Sequence, residues 1–105
     1  MNNSDQDIID KNFAGCHILE KVGQGGMGSV YKAKHLTLNK TVCVKLLSKE
    51  LSYDQRNIEF FMREARSAAK LDHPNIVHVY NFGEENGQYF IVMSYVEGKT
   101  LQDVL

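Results

Sequence analysis

The sequence predicts an α+β fold, and three patterns lead to that prediction. Apolar residues alternate on both sides of a glycine-rich turn, and they alternate again at about 41–47, 76–82 and 88–94. Between the third and fourth of these strands, at about 54–71, the apolar spacing changes to the three- and four-residue steps of an amphipathic helix. The predicted order is therefore β-β-β-α-β-β, and the first two strands form a hairpin around the glycine-rich turn.

The first three strands are short and closely spaced. Residues 15–22 lead into the glycine-rich turn, and residues 29–35 form the return strand. In the third strand a charged residue stands among apolar ones. One face of that strand carries Val42, Val44 and Leu46, and the other carries Cys43, Lys45 and Leu47.

The predicted helix has signals at both ends. Ser52 and Asp54 are both candidates for its N-cap, and the segment His73–Asn75 ends it, because proline disfavours helical geometry in the residue before it. The last two strands are joined by the polar turn 83–87, and residues 100–105 begin a further helix. The apolar stripe of the main helix consists of Ile58, Phe61, Ala65, Ala68, Ala69 and Leu71.

Length and composition indicate one small globular domain. The chain has 105 residues, of which 43% are hydrophobic and 24% charged, and its net charge of −1 argues against nucleic acid as a partner. Residues 1–12 are polar and are predicted to form a flexible leader without signal-peptide features, so a cytoplasmic location is expected.

Cys16 and Cys43 lack metal-ligand spacing, and we expect both to pack as small apolar residues.

The segment Gly23-Gln24-Gly25-Gly26-Met27-Gly28 has the spacing G-x-G-x-x-G. Glycines allow backbone N–H groups to approach phosphate oxygens, although such a cluster also occurs in ordinary hairpin turns. A Walker A loop requires lysine after the last glycine, where this chain has Ser29. A dinucleotide-binding fold requires a helix there, whereas residues 29–35 have the pattern of a strand. A strand–turn–strand context suits a flap over a nucleotide triphosphate.

Lys45 and Glu64 form a candidate ion pair. An isolated strand lysine is usually solvated, but Lys45 lies in an apolar strand, where its charge requires an anionic partner. Glu64 lies in a largely apolar part of the helix, and the pair would place the ammonium group near nucleotide phosphates. The alternative for Glu64 is an exposed carboxylate that pairs with Arg63 or Arg66.

Together these motifs make the chain resemble the N-terminal lobe of a eukaryotic-like (Hanks-type) Ser/Thr protein kinase, most closely the bacterial type. The resemblance covers residues 13–105 and rests on five segments in the family's order. They are the glycine loop Gly23–Val30, the V-A-I-K equivalent Val42–Lys45, the helix segment Phe61–Ala65, the following loop His73–Val77, and the fifth strand and hinge Phe90–Gly98.

This resemblance implies a five-stranded antiparallel sheet with one main helix, helix C, after the third strand. It implies ATP as a ligand, with Met93 at the back of the adenine pocket and Glu64 as the ion-pair partner of Lys45. Ala68 and Val79 correspond to the family's regulatory spine, although ordinary core packing accounts for them equally well. The ATP-binding residues that it assigns are Val22, Gly23, Gln24, Gly25, Gly26, Met27, Gly28, Ser29, Val30, Cys43, Lys45, Met93, Ser94, Tyr95 and Val96.

Two residues depart from the family's pattern. Cys43 replaces the usual alanine and places a thiol in the pocket, where it is either an inert buried thiol or a reactive one activated by Lys45. Ser94 replaces a commoner acidic residue of the hinge, and the resemblance assigns only its backbone a role.

The motifs H-R-D-x-x-x-x-N and D-F-G, which supply the catalytic aspartate and the magnesium ligands of kinases, do not occur in this sequence. The segment Asn81-Phe82-Gly83 has asparagine for aspartate and lies before the hinge.

We therefore expect an inactive fragment of a longer kinase, with no catalytic residue or metal ligand of its own. The parent would transfer the ATP γ-phosphate to protein hydroxyls, or would be a pseudokinase or nucleotide-sensing module. Tyrosine specificity and a membrane anchor elsewhere in the parent stay open, and self-association of the fragment is expected.

Overall fold

The computed structural model describes residues 8–25, 27–70 and 78–95, with the side chains of residues 68–70 excepted. These residues form one antiparallel sheet and one main helix, and a short 3-10 helix at Leu51–Tyr53 precedes the main helix. The helix, α1, is Gln55–Lys70. The strands are β1 Asn12–Phe13, β2 Cys16–Gln24, β3 Gly28–His35, β4 Lys40–Leu47, β5 Val79–Glu85 and β6 Gln88–Ser94.

The sheet has the order β1-β2-β3-β4-β6-β5. All its neighbouring strands are antiparallel, and the five predicted strands are confirmed. The two-residue β1 is an addition that the sequence did not predict, because only Asn12 and Phe13 pair with β2. The turn between β5 and β6 is shorter than the predicted 83–87, because β5 extends to Glu85 and not only to residue 82. The turn consists of Asn86 and Gly87, whose φ angles of 54° and 82° suit a type I′ hairpin.

The sheet is buried on both faces, and each face carries its own apolar cluster. The inner cluster contains Val30, Cys43, Leu47, Phe61, Ala65, Val79, Ile91 and Met93. The outer cluster contains Phe13, Cys16, Ile18, Tyr31, Ala33, Val42, Val44, Leu46, Phe90 and Val92. The predicted alternation of β4 is confirmed, since its residues are divided between the two clusters in the order that period-two geometry requires. Both cysteines are free and buried, as expected.

Asp54 is the N-cap of helix α1, which settles the choice between the two candidate caps. The Asp54 Oδ1 atom accepts a hydrogen bond of 2.9 Å from the backbone N–H of Arg56. Ser52 instead donates its hydroxyl proton to the carbonyl oxygen of Lys49 at 2.7 Å. The helix lies on the inner face of the sheet beside β5, where Phe61 and Ala65 are buried. Of its predicted apolar stripe, the side chains of Ala68 and Ala69 and all of Leu71 lie outside the described residues.

The segment 8–12 differs from the expected leader. Ile8 and Ile9 pack against the outer cluster, and Asn12 belongs to β1. Backbone hydrogen bonds join Asp10 N to Ile18 O at 2.7 Å and Ile18 N to Lys11 O at 2.9 Å. The two isoleucines account for the difference, because their burial covers the outer face of the sheet. Residues 1–7 of the predicted leader lie outside the described part of the chain.

Within the part of the chain that the structure describes, no helix combines the length and the apolar character that crossing a membrane requires.

Gly28 provides a test of how the glycine loop joins the sheet. A Cβ atom at Gly28 would overlap the backbone carbonyl group of Leu46, whereas a Cβ atom at Gly23 would have no heavy atom within 4 Å. We expect Gly28→Ala to lower the free energy of unfolding by about 1–3 kcal/mol, as overpacking does, because a backbone carbonyl cannot move aside cheaply. Gly23→Ala, the matched control, should leave stability nearly unchanged. Urea unfolding followed by circular dichroism measures both variants, and equal stabilities would contradict this account.

Candidate nucleotide-binding site

The glycine-rich segment is the tip of the β2–β3 hairpin. The two strands pair as far as Gln24 and Ser29, and Gly25 N donates a hydrogen bond of 2.8 Å to Gly28 O. The tip is also joined to β4, because Ser48 N donates to Met27 O at 2.8 Å. The predicted strand–turn–strand arrangement is therefore present, and the loop is bound to the sheet on both sides. Gly26 lies outside the described residues.

The loop residues differ in exposure. Met27 packs against the inner cluster, and Ser29 is buried within β3. Gln24 is exposed, and its Oε1 atom accepts a hydrogen bond of 2.6 Å from Lys21 Nζ. The backbone at Gly23 and Gly25 is half-buried, and no large apolar side chain of the described loop residues is exposed.

Several residues predicted to bind the base meet on the inner face. Val30, Cys43 and Met93 belong to the inner cluster, and Val22 and Tyr95 pack against it. Cys43 and Met93 are directly paired across β4 and β6, and Met93 is completely buried. The sheet register therefore brings these residues together from four separate segments, although they are far apart in sequence. Val96, the last predicted member of the group, lies outside the described residues.

Lys45 lies on the same inner face, close to α1. Its side chain is half-buried, and its Nζ atom is 5.9 Å from the centroid of the Phe61 ring. Desolvation by burial lowers the pKa of Lys45, and the charge of Glu64 opposes that shift. An ammonium group that has lost hydration in this way gains from a nearby anion, as nucleotide phosphate would be.

The direct ion pair between Lys45 and Glu64 that the sequence predicts is not formed. Both residues are described, and no ion pair within 4.0 Å joins them. The rotation of α1 explains the difference, because Phe60 and Glu64 share an exposed face while Phe61 and Ala65 turn towards the sheet. Glu64 therefore acts on Lys45 through space, without a contact.

The hinge serine has a structural contact that the sequence did not reveal. Ser94 Oγ accepts a hydrogen bond of 3.0 Å from the backbone N–H of His78, and Ser94 N donates to His78 O at 2.9 Å. The hydroxyl therefore joins the end of β6 to the residue before β5. Its position at the end of an apolar strand is the sequence signal, and that signal does not identify the partner.

The remaining sequence predictions concern the spine and the D-F-G-like segment. Val79 is buried in the inner cluster, whereas the side chain of Ala68 is outside the described part. Asn81, Phe82 and Gly83 lie within β5, although the sequence predicts Gly83 as the first residue of the turn. Among the described residues, no cluster of three or more histidine, cysteine, aspartate or glutamate side chains could hold a metal ion.

Comparisons with known proteins agree with this arrangement. The family described as "Protein kinase domain" matches residues 16–105. The chain belongs to the protein kinase family. Its six-stranded sheet and single main helix correspond to the N-terminal lobe of a kinase, with the small β1 in addition to the predicted five strands.

The similar proteins are bacterial Ser/Thr kinases. Serine/threonine-protein kinase PrkC of Bacillus subtilis is 46% identical over 99 residues, which are 93% of this chain and 15% of that protein. Serine/threonine-protein kinase PknH of Mycobacterium tuberculosis is 39% identical over 105 residues, or 100% of this chain and 17% of that protein. The chain thus spans only about a sixth of the length of these kinases.

Solved kinase structures share the fold. The kinase domain of Mycobacterium tuberculosis PknI matches with a TM-score of 0.69 at 36% identity, covering 83% of this chain and 35% of that one. The structure described as "PpkA-294 apo form" matches with a TM-score of 0.76 at 27% identity, covering 90% of this chain and 40% of that one. The lobe architecture predicted from the five motifs is confirmed.

The Cys43 thiol offers a test of the pocket's environment. Burial raises its pKa to about 11, so at pH 8 only about one molecule in a thousand carries the thiolate. We expect iodoacetamide to alkylate Cys43 slowly in the folded chain, and about tenfold faster for each pH unit up to that pKa. Mass spectrometry of the alkylated protein measures the rate, with urea-unfolded chain as the control. Rapid alkylation of the folded chain at pH 8 would contradict the buried, protonated state of this thiol.

Proposed function

We propose that this chain is the ATP-binding lobe of a Ser/Thr protein kinase, with residues 13–105 as the lobe. In this proposal the kinase transfers the γ-phosphate of ATP to hydroxyl groups of protein substrates. The single observation that carries it is the position of Lys45, a half-buried cation on the inner face close to the glycine hairpin. Family membership and the bacterial Ser/Thr kinases among its relatives support the same function.

The residues present fit a nucleotide triphosphate. The inner face offers an apolar surface for the base at Val30, Cys43 and Met93. In this proposal, backbone N–H groups of the glycine hairpin donate to phosphate oxygens, and a Cβ atom at Gly23 would have no heavy atom within 4 Å. In this proposal Lys45 contributes the positive charge that binds the phosphates, and backbone groups of the predicted hinge residues Ser94, Tyr95 and Val96 bond the adenine edge.

This chain contains the residues for binding ATP but not all of those that phosphoryl transfer needs. Phosphoryl transfer also requires a carboxylate that orients the attacking hydroxyl and ligands for Mg²⁺, which neutralises charge on the phosphates. We propose that both are supplied by residues outside this chain, as in other kinases. The 105 residues by themselves would then bind nucleotide weakly and transfer nothing.

Nucleotide binding tests the role of Lys45. We expect Lys45→Met to weaken binding of Mg-ATP about 10- to 100-fold, because one charge-assisted contact with a phosphate is lost. Lys34→Met is the matched control, since Lys34 is an exposed lysine of β3. Isothermal titration calorimetry measures the affinities. Equal affinities of wild type and Lys45→Met would remove Lys45 from the site.

A transfer assay separates an active kinase from the alternative, a pseudokinase or nucleotide-sensing module. The full-length gene product should transfer labelled γ-phosphate from ATP to serine or threonine of a protein substrate, and Lys45→Met should abolish the transfer. Nucleotide binding without any transfer by the full-length product would favour the alternative. Phosphotyrosine as the sole product would contradict the proposed specificity.

We also propose that the isolated chain self-associates. Large apolar side chains are exposed at Leu36, Leu38, Tyr53 and Phe60, and exposed apolar surface favours association. A monomer by light scattering across the micromolar range would contradict this proposal.

A further inference from the structure

Lys32 lies beside the hinge without being part of any motif discussed above. It is half-buried on β3, and its Nζ atom is 5.3 Å from the centroid of the Tyr95 ring. A cation at this distance from a tyrosine ring is attracted by the negative face of the ring. The contact joins the glycine-loop hairpin to the residue that follows β6.

The sheet register shows why these two side chains meet. Lys32 pairs with Cys43, and Cys43 pairs with Met93, so the three residues form one row across β3, β4 and β6. Tyr95 follows Met93 by two residues and packs against the same inner cluster. The long lysine side chain therefore reaches across β4 and ends over the Tyr95 ring.

No stronger partner draws Lys32 away from this ring. Glu20 is its neighbour across the β2–β3 pairing, on the side opposite to the hinge. Among the described residues, however, no carboxylate is in ion-pair contact with Lys32. The ammonium group thus lies on the hinge side of the strand, above an aromatic ring that is itself half-buried.

We propose that Lys32 is a positioning residue of the nucleotide site, which it serves by holding Tyr95 and the adjoining hinge backbone against the inner face. The inference rests on the proposed nucleotide-binding function. A hinge that is held before the ligand arrives loses less conformational freedom on binding, so affinity rises without any contact between Lys32 and the nucleotide.

The test uses substitutions that separate charge from side-chain length. Lys32→Met removes the charge and keeps a long side chain, whereas Lys32→Arg keeps the charge. Tyr95→Leu removes the ring, and Tyr95→Phe keeps it. Lys34→Met again serves as the control, because Lys34 is an exposed lysine of the same strand.

Two measurements are made on each variant of the chain. Hydrogen exchange of the Ser94 and Tyr95 amides, without nucleotide, reports how firmly the hinge is held. Fluorescence titration with a labelled ADP reports affinity. We expect Lys32→Met and Tyr95→Leu each to accelerate exchange and weaken binding by about two- to fivefold, the range of one cation–π contact. Lys32→Arg and Lys34→Met should behave as wild type in both measurements, and Tyr95→Phe, which keeps the ring, should leave hinge exchange slow.

The outcomes are distinct. The positioning role is overturned if Lys32→Met leaves hydrogen exchange of the hinge amides unchanged. It is also overturned if Lys32→Met accelerates that exchange equally in the wild-type and Tyr95→Leu backgrounds. If exchange accelerates but affinity does not fall in a chain that binds nucleotide, the role in the site is also overturned. If the wild-type chain and the full-length product bind no nucleotide while exchange still responds to Lys32→Met, the proposed function fails and the hinge contact stands.

Discussion

The alternation of side chains along β4 is the constraint on which the remaining structure depends. This strand pairs with β3 on one side and β6 on the other, and its two faces are buried in two different clusters. A slip of one residue would exchange the inner and outer side chains and would move Lys45 into the apolar outer cluster. Desolvating an ammonium group there without a partner is costly, so burial on both faces fixes the register.

The same register determines how the glycine loop is attached. Gly28 pairs with Leu47 and has no room for a side chain beside the Leu46 carbonyl group, and Ser48 N bonds to Met27 O. The last glycine of the motif is therefore required by strand approach, whereas Gly23 has open space around it. The motif G-x-G-x-x-G thus contains one glycine that close strand packing requires, Gly28, and one that packing does not require, Gly23. The close packing at Gly28 also keeps the loop next to the strand that carries Lys45.

The electrostatics of the inner face follow from the rotation of α1. The apolar stripe of the helix turns Phe61 and Ala65 towards the sheet, so Glu64 lies on an exposed face. Lys45 consequently lies near the Phe61 ring. Desolvation by burial lowers the pKa of Lys45, and the charge of Glu64 opposes that shift without a direct contact between the two side chains. Such an arrangement leaves a partly desolvated cation facing the inner surface, with no carboxylate of the described residues in ion-pair contact. A phosphate group there would compensate the desolvation of Lys45.

The sequence by itself determined the order of the five longer strands and α1, the bounds of β6 and, nearly to the residue, those of β3, β4 and α1. These features depend on local periodicity and on turn residues, which can be read along the chain. The glycine hairpin and the face that Lys45 shares with Cys43 and Leu47 belong to the same class, because both follow from alternation within one or two strands.

Only the tertiary structure decided the contacts between distant segments. The packing of Ile8 and Ile9, the bond from His78 to Ser94, the separation of Lys45 from Glu64 and the Lys32–Tyr95 contact all depend on which strands are neighbours and how α1 is rotated. Helical spacing places Glu64 and Phe61 on adjacent stripes, and only packing against β5 selects which stripe faces the sheet. Periodicity fixes the relative faces of residues within an element, whereas the orientation of that element is set by the surface it covers.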